Sequence, residues 1–274
     1  MPRHADLHLH TYHSDGVRSP REVVDLARHN GLEIIAISDH DNLAAYFEIR
    51  DYAREHSVTL IPGVELSCGY QGLDIHILAY AFDPADGPLN ERLVDFREAR
   101  LRRGEAMVDR LVTLGYAISR ARVAELCGTG AMGRPHIARA LLEIGAVSSI
   151  EDAFQKLLGS GCPGYVEKER FAIEEAVAVI RAAGGVTSIA HPTVYPRHRA
   201  VVEELFEAGV DGVEALHPNV DDEQRRYYER LAHLKGKLVT GGSDDHGFGD
   251  RCTIGTVRVS AEMIGPILDR LADR

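Results

Sequence analysis

The stretch Ala5-Asp6-Leu7-His8-Leu9-His10-Thr11, running on into Tyr12-His13-Ser14-Asp15-Gly16, makes the fold of this chain legible. From Asp6 to His10 polar and apolar residues alternate. In a strand, positions i and i+2 share a face, so His8 and His10 point the same way. Two adjacent imidazoles are half a metal site. Taken alone they are equally an exposed edge strand that carries two histidines, and what separates the readings lies downstream.

Outward from this strand, Ser19-Pro20-Arg21-Glu22 reads as a helix start, with Ser as N-cap, Pro in the first turn and Glu closing a capping box; Gly31 ends the helix. Residues 33–38 form an almost wholly apolar run, as in a parallel strand covered on both faces, and open into Asp39-His40-Asp41. A helix over 44–56 and strands over 59–62, 64–67 and 73–80 follow, with Glu65 and His76 inside strands. The periodicity turns helical over 89–114, then glycines break it into short helices at 123–127, 135–144 and 150–158. Alternation then resumes. Helix 173–183 precedes strand 186–190 and His191-Pro192, helix 201–208 precedes strand 212–216 and His217-Pro218, and helix 222–234 precedes strand 238–240 and Gly242-Ser243-Asp244-Asp245-His246. A strand at 257–259 and a helix at 262–271 close the chain.

Strands alternating with helices predict an α/β fold with a parallel sheet, and about seven repeats favour closure into a barrel. The chain has 274 residues, and such barrels use roughly 250. Residues 1–100 and 168–274 are therefore read as the barrel and 101–167 as a helical insertion without strands of its own. A doubly wound open sheet is the alternative, but no G-x-G-x-x-G follows the first strand. Barrel active sites lie at the C-terminal ends of the strands, which would bring His8, His10, His40, Glu65, His191, Asp244 and His246 to one mouth.

A net charge of −11 opposes broad binding to duplex DNA. Fourteen histidines in a carboxylate-rich chain permit divalent metals. Cys68, Cys127, Cys162 and Cys252 form no C-x-x-C pair and suit reduced thiols. No apolar run approaches the roughly 20 residues of a membrane span, and the chain enters a strand without a hydrophobic leader, so a cytoplasmic protein without a membrane partner is expected. Oligomeric state is not legible.

In order, D-L-H-L-H-T, S-D-H-D, G-V-E, the later His76, A-H-P and S-D-D-H resemble the PHP (polymerase and histidinol phosphatase) family. The resemblance implies a distorted seven-stranded (β/α) barrel with three divalent metal ions, Mn2+ foremost and Fe2+ or Zn2+ as alternatives. It implies one metal on His8, His10, Glu65 and Asp244, a second on Glu65, His76 and His191, and a third on Asp15, His40 and His246. Imidazole and carboxylate without thiolate suit such ions. His8, His10, Glu65 and Asp244 would then be catalytic through a metal-activated hydroxide, since clustered metals bring a bound water toward a pKa of ~7 and stabilise phosphoryl charge. Asp39, Asp41 and Asp245 flank the ligands, either orienting imidazoles or capping helices. Among Lys156, Lys168, Lys235 and Lys237 none ends a barrel strand, which argues against a bridging carboxylated lysine.

Substrate choice is expected from Met132-Gly133-Arg134-Pro135-His136, where a glycine turn delivers Arg134 and His136 at a helix start, a favourable place for phosphate. This stretch resembles a subgroup of stand-alone bacterial PHP proteins acting on nucleotides with 3'- and 5'-phosphates or on short RNA from its 5' end. That implies a phosphatase that removes the 3'-phosphate of 3',5'-bisphosphonucleosides. A 5'-3' exoribonuclease, a histidinol-phosphate phosphatase and a polymerase-associated module remain as alternatives. Arg102 and Arg103 are further phosphate contacts, with His217 and Lys168 behind them. The expected partner is a small phosphorylated nucleotide or short oligonucleotide.

Overall fold

The computed structural model describes residues 3–128, 132–167, 171–248 and 252–272. Strand β1 (His4–Leu9), helix α1 (Pro20–His29), β2 (Ile34–Ile37), α2 (Ala44–Glu55), β3 (Thr59–Tyr70) and β4 (Leu73–Tyr80) make the first half of the barrel. Helix α3 (Gly87–Thr113) leads to α4 (Arg120–Cys127), α5 (Arg134–Glu143) and α6 (Ile150–Ala153), the last running on into a π-helical turn, Phe154–Leu158. Then come β5 (Phe171–Ala172), α7 (Ile173–Ala182), β6 (Val186–Ile189), α8 (His198–Glu207), β7 (Gly212–Leu216), α9 (Asp222–Lys235), β8 (Leu238–Gly241), β9 (Val259–Ser260) and α10 (Gly265–Ala272). The capping box at Ser19 and Glu22 forms as its sequence requires.

The sheet runs β8-β7-β6-β4-β3-β2-β1-β9, with β5 paired to β3. Its ends meet where Asp244 N donates to His8 O at 2.8 Å and His10 N to Asp245 O at 3.0 Å, so the wall of β1–β4 and β6–β8 nearly closes. Two strands depart from the all-parallel expectation: the edge strand β9, antiparallel to β1, and, inside the wall, β4. β4 is antiparallel to both β3 and β6. The cause is the two-residue link Gln71-Gly72, with φ of 47° and 85° at its two residues. Positive φ at both positions is the type I′ hairpin turn, and a link this short can only return the chain antiparallel. β3 is also one strand of 12 residues rather than two.

Side chains from nearly every strand fill the barrel below its mouth: Ala5, Leu7, Ile34, Ile61, Leu78, Tyr80 and Val186, closed by Ile264 and Ile267. Leu9 belongs to a different cluster, outside β1 and β2, with Val23, Val24, Ile35 and Ile37. Helix α3 spans two cores. Leu89, Leu93 and Phe96 pack on the barrel, whereas Met107, Val108 and Leu111 pack with Val123, Ile137, Leu141 and Leu158 in a separate helical core. No strand falls within 101–167 among the described residues, and no helix among them is long and apolar enough to cross a membrane.

Candidate metal centre

The centre is built by a departure from strand alternation. β1 changes register against β2 between Asp6 and Leu9, and a bulge of this kind re-aims side chains. Leu7 still points into the barrel core, while His8 and His10 face its mouth. The Leu7 carbonyl accepts from Tyr80 Oη and Ser38 Oγ, each at 2.9 Å. Gly242 makes room on the other side: a Cβ there would overlap His8. His40 follows β2, His191 follows β6, and Asp244 and His246 follow β8. Glu65 lies inside β3, and His76 lies on β4 opposite Ser67, two positions along from Glu65. Only because β4 is reversed does the first half of that strand reach the mouth. His191 and Asp244 hold φ of 29° and 53°, a strained conformation characteristic of functional sites.

All nine predicted ligands meet around Glu65, Asp15 and Asp244. Glu65 Oε2 stands 3.4 Å from His8 Nε2, 3.2 Å from His10 Nε2 and 3.2 Å from His40 Nδ1. Its other oxygen, Oε1, faces His76 Nδ1 at 2.8 Å and His191 Nε2 at 3.1 Å. Asp244 Oδ1 is 3.4 Å from His8 Nε2 and 3.3 Å from His10 Nε2. Asp15 faces His246 Nε2 at 3.3 Å and His40 Nε2 at 3.6 Å.

These spacings test whether the residues suit a metal. Ligand atoms about 2.0–2.2 Å from one cation lie roughly 2.8–3.6 Å apart in octahedral or tetrahedral geometry, which matches the observed separations. Buried polar atoms are normally hydrogen-bonded, yet His8 Nε2, His10 Nε2, Asp15 Oδ1 and His40 Nδ1 are buried and make no hydrogen bond of good geometry among the described residues. They fit cation ligands.

Electrostatics agrees. Burial alone would raise the Glu65 carboxyl, but His40, His76 and His8 bring it well below the usual range. Burial likewise works against Asp15 and Asp244, and the neighbouring imidazoles overcome it. Burial would depress His10, yet Asp244, Glu65 and Asp15 lift it to about 10. His40 goes the other way, pushed well down by burial with Arg100 and His76 adding to it.

Three flanking carboxylates take neither role expected of them. Asp39 accepts from Thr11 N at 2.8 Å, Thr11 Oγ1 at 2.6 Å and Ser14 Oγ at 2.5 Å, bracing the loop that carries Asp15. Asp41 accepts from Ser67 N at 3.1 Å. Asp245 accepts from Thr253 N and Oγ1 and pairs with Arg18. The carboxylate that does orient a candidate ligand imidazole is Glu214, which sequence reasoning missed. Fully buried on β7, it meets His8 Nδ1 at 3.0 Å through Oε1 and accepts from the His191 backbone N at 2.6 Å through Oε2. Its signal was readable, since a carboxylate inside an apolar parallel strand must be paired.

A cavity of about 220 Å3 opens over the centre, walled across from it by Arg100, Arg103, Gly133, Arg134 and Phe154. Arg103 and Arg134 are where the sequence suggested. Arg102 is not: it is exposed and faces Glu98 at 3.5 Å. On a helix, Arg100 and Arg103 share the inward face of Phe96 and Met107, and Arg102 falls outside it. Arg100 is thus the cation that sequence reading passed over. His136 is buried too, but its Nδ1 accepts from Gly133 N at 3.1 Å, and burial with Arg100 and Arg139 lowers it to about 4. It is a neutral brace at the start of α5 rather than a cation. His217 directs Nε2 at Asp244 Oδ2, 3.5 Å away, and Lys168 lies outside the described residues.

A nearly closed α/β barrel, with imidazoles and carboxylates converging at its mouth and guanidinium groups across the cavity, defines a metal-dependent phosphoesterase. The chain belongs to the PHP family: the PHP domain model matches residues 6–239. It is 33% identical over 250 residues to a 3',5'-nucleoside bisphosphate phosphatase of Chromobacterium violaceum, covering 89% of this chain and 88% of that one. To a 5'-3' exoribonuclease of Haemophilus influenzae it is 35% identical, covering 90% and 91%. A crystal structure from Bifidobacterium adolescentis, assigned as a metal-dependent phosphoesterase, superposes with a TM-score of 0.89 at 31% identity and full coverage of both chains.

Proposed function

We propose that the enzyme removes the 3'-phosphate of 3',5'-bisphosphonucleosides, leaving the 5'-phosphate in place. The observation that carries this reading is the pairing of two anion sites in one cavity. One is the ligand centre. The other is the guanidinium wall, where Arg103 Nη2 is buried without a hydrogen-bond partner among the described residues, Arg100 Nη1 is buried and faces only Asp41 Oδ2 at 3.5 Å, and Arg134 stands beside them. Buried N–H groups of this kind hold a phosphate strongly, and a wall of cations disfavours the ammonium group of histidinol phosphate.

In this reading His8, His10, Glu65 and Asp244 hold one metal, Glu65 with His76 and His191 a second, and Asp15, His40 and His246 a third, with Mn2+ the first choice and Fe2+ or Zn2+ the alternatives. Bound there, metals acidify water and neutralise phosphoryl charge. The protein's own groups do the rest. Glu214 fixes the His8 ring, the strained Asp244 and His191 are held in place by the strand ends, and residues 101–167 act as a cap whose Arg103 and Arg134, with Arg100 just before it, set the distance between the two phosphates. A cytoplasmic setting belongs to this reading.

A charged hydrogen bond contributes about 1.5–3 kcal/mol, so loss of the 5'-phosphate should lower kcat/KM roughly ten- to a hundredfold relative to adenosine 3',5'-bisphosphate. Arg134→Met should lose a similar amount on the bisphosphate and little on adenosine 3'-monophosphate. Phosphate-release kinetics on the two substrates check this. Equal wild-type efficiency on both would overturn it.

A further inference from the structure

Three rings lead out of the centre nearly parallel. His10 and His246 stack with centroids 4.1 Å apart and planes 13° apart, and Phe248 stacks on His246 at 6.0 Å and 14°. Side-chain exposure rises from 0% at His10 to 22% at His246, and Phe248 is 51% exposed. An aromatic face in line with two ligand rings and open to solvent is a surface on which a base can stack.

Its position gives it a direction. The guanidinium wall stands at the His40 and His76 edge of the centre: Arg100 faces Asp41, beside His40, at 3.5 Å, and Arg134 faces Asp74, two residues from His76 on β4, at 3.6 Å. Phe248 stands at the His10 and His246 edge. With the 5'-phosphate on the arginines and the reacting phosphate at the centre, a strand that stays esterified to that phosphate would run toward Phe248.

We propose that Phe248 is a stacking platform for the nucleobase that follows the scissile phosphate when the substrate is the 5' end of a phosphorylated oligonucleotide rather than a bisphosphonucleoside. This rests on the reading of the cavity given above. In both substrates water adds to phosphorus, the P–O3' bond breaks, and a proton from the water ends on the 3'-oxygen. The bisphosphate yields a nucleoside 5'-monophosphate and inorganic phosphate. The strand yields the same monophosphate and a strand one nucleotide shorter, whose new 5'-phosphate suits the arginine wall again.

A double-mutant cycle tests it, with Phe248→Ala as one change and removal of the second base from a 5'-phosphorylated dinucleotide as the other. Base–aromatic stacking predicts that the intact dinucleotide exceeds its abasic counterpart by about 5- to 100-fold in kcat/KM with the wild type, and that most of this preference vanishes in Phe248→Ala. Equal losses on both substrates would mean that Phe248 only buttresses His246, and would overturn the proposal. Wild-type hydrolysis of adenosine 3',5'-bisphosphate without hydrolysis of the dinucleotide would also overturn it while leaving the two-phosphate reading intact. Hydrolysis of neither would remove both.

Discussion

At the scale of single residues, the centre stores protons that metals must displace. Asp244, Glu65 and Asp15 outweigh the burial of His10 and push its imidazole up to about 10. The sign follows. A ring raised above its unfolded value of ~6.5 stabilises the metal-free fold below that pH and loses this contribution as pH rises through about 10. Metal competes for the same nitrogen, so uptake near pH 7 should release protons and tighten about tenfold per pH unit for each proton released. Calorimetric titration with Mn2+ in buffers of different ionisation enthalpy measures the number; zero protons released would contradict the cluster described. The nine candidate ligands were legible because each is a His, Asp or Glu near a strand end or in a strand with a motif around it. Glu214 and Arg100 were not singled out, because their roles depend on which face of an element they occupy and on what stands opposite. The burial of His136 was hidden for the same reason: an imidazole beside an arginine reads as a cation until its surroundings are known.

At the scale of elements, the apolar runs placed every barrel strand, though they divided β3 in two, since burial dictates where such runs fall. The direction of β4 was not read, because hydrophobic pattern carries no strand polarity; only the length and handedness of the turn at Gln71-Gly72 do. The β1 bulge was equally hidden, because the D-L-H-L-H alternation is regular on paper and the change of face comes from pairing. That pairing yields a prediction. At Gly242 a Cβ would overlap backbone and side-chain atoms of His8, and backbone cannot step aside as a flexible side chain can. Gly242→Ala should therefore destabilise the fold by more than about 3 kcal/mol, the upper range for overpacking. Gly87→Ala is the control: at the start of α3 a Cβ there meets nothing within 4 Å, and the change should be neutral or stabilising by up to about 1 kcal/mol. Urea unfolding of the two variants decides; similar midpoints would show that β8 can retreat from His8.

At the scale of the whole molecule, the centre is the point at which the barrel closes. Its candidate ligands come from β1, β3 and β4 and from the segments after β1, β2, β6 and β8, and the seam between β1 and the end of β8 carries only a few backbone bonds among the described residues. A metal held by His8 and His10 on one side of that seam and Asp244 on the other would brace it. Ligand binding to the folded state alone contributes about 2.7 to 4.1 kcal/mol at 100 to 1,000 times the dissociation constant. A chain of this size shifts its melting midpoint by about 2–4 °C per kcal/mol, so a strong chelator should lower the midpoint by roughly 5–15 °C. Asp244→Asn lowers ligand charge with little change in volume. It should abolish most activity, reduce bound metal measured by elemental analysis, and bring the untreated midpoint close to that of the chelated wild type. A chelated wild type that melts unchanged would mean that the barrel closes without metal, leaving the ligand cluster a role in catalysis alone.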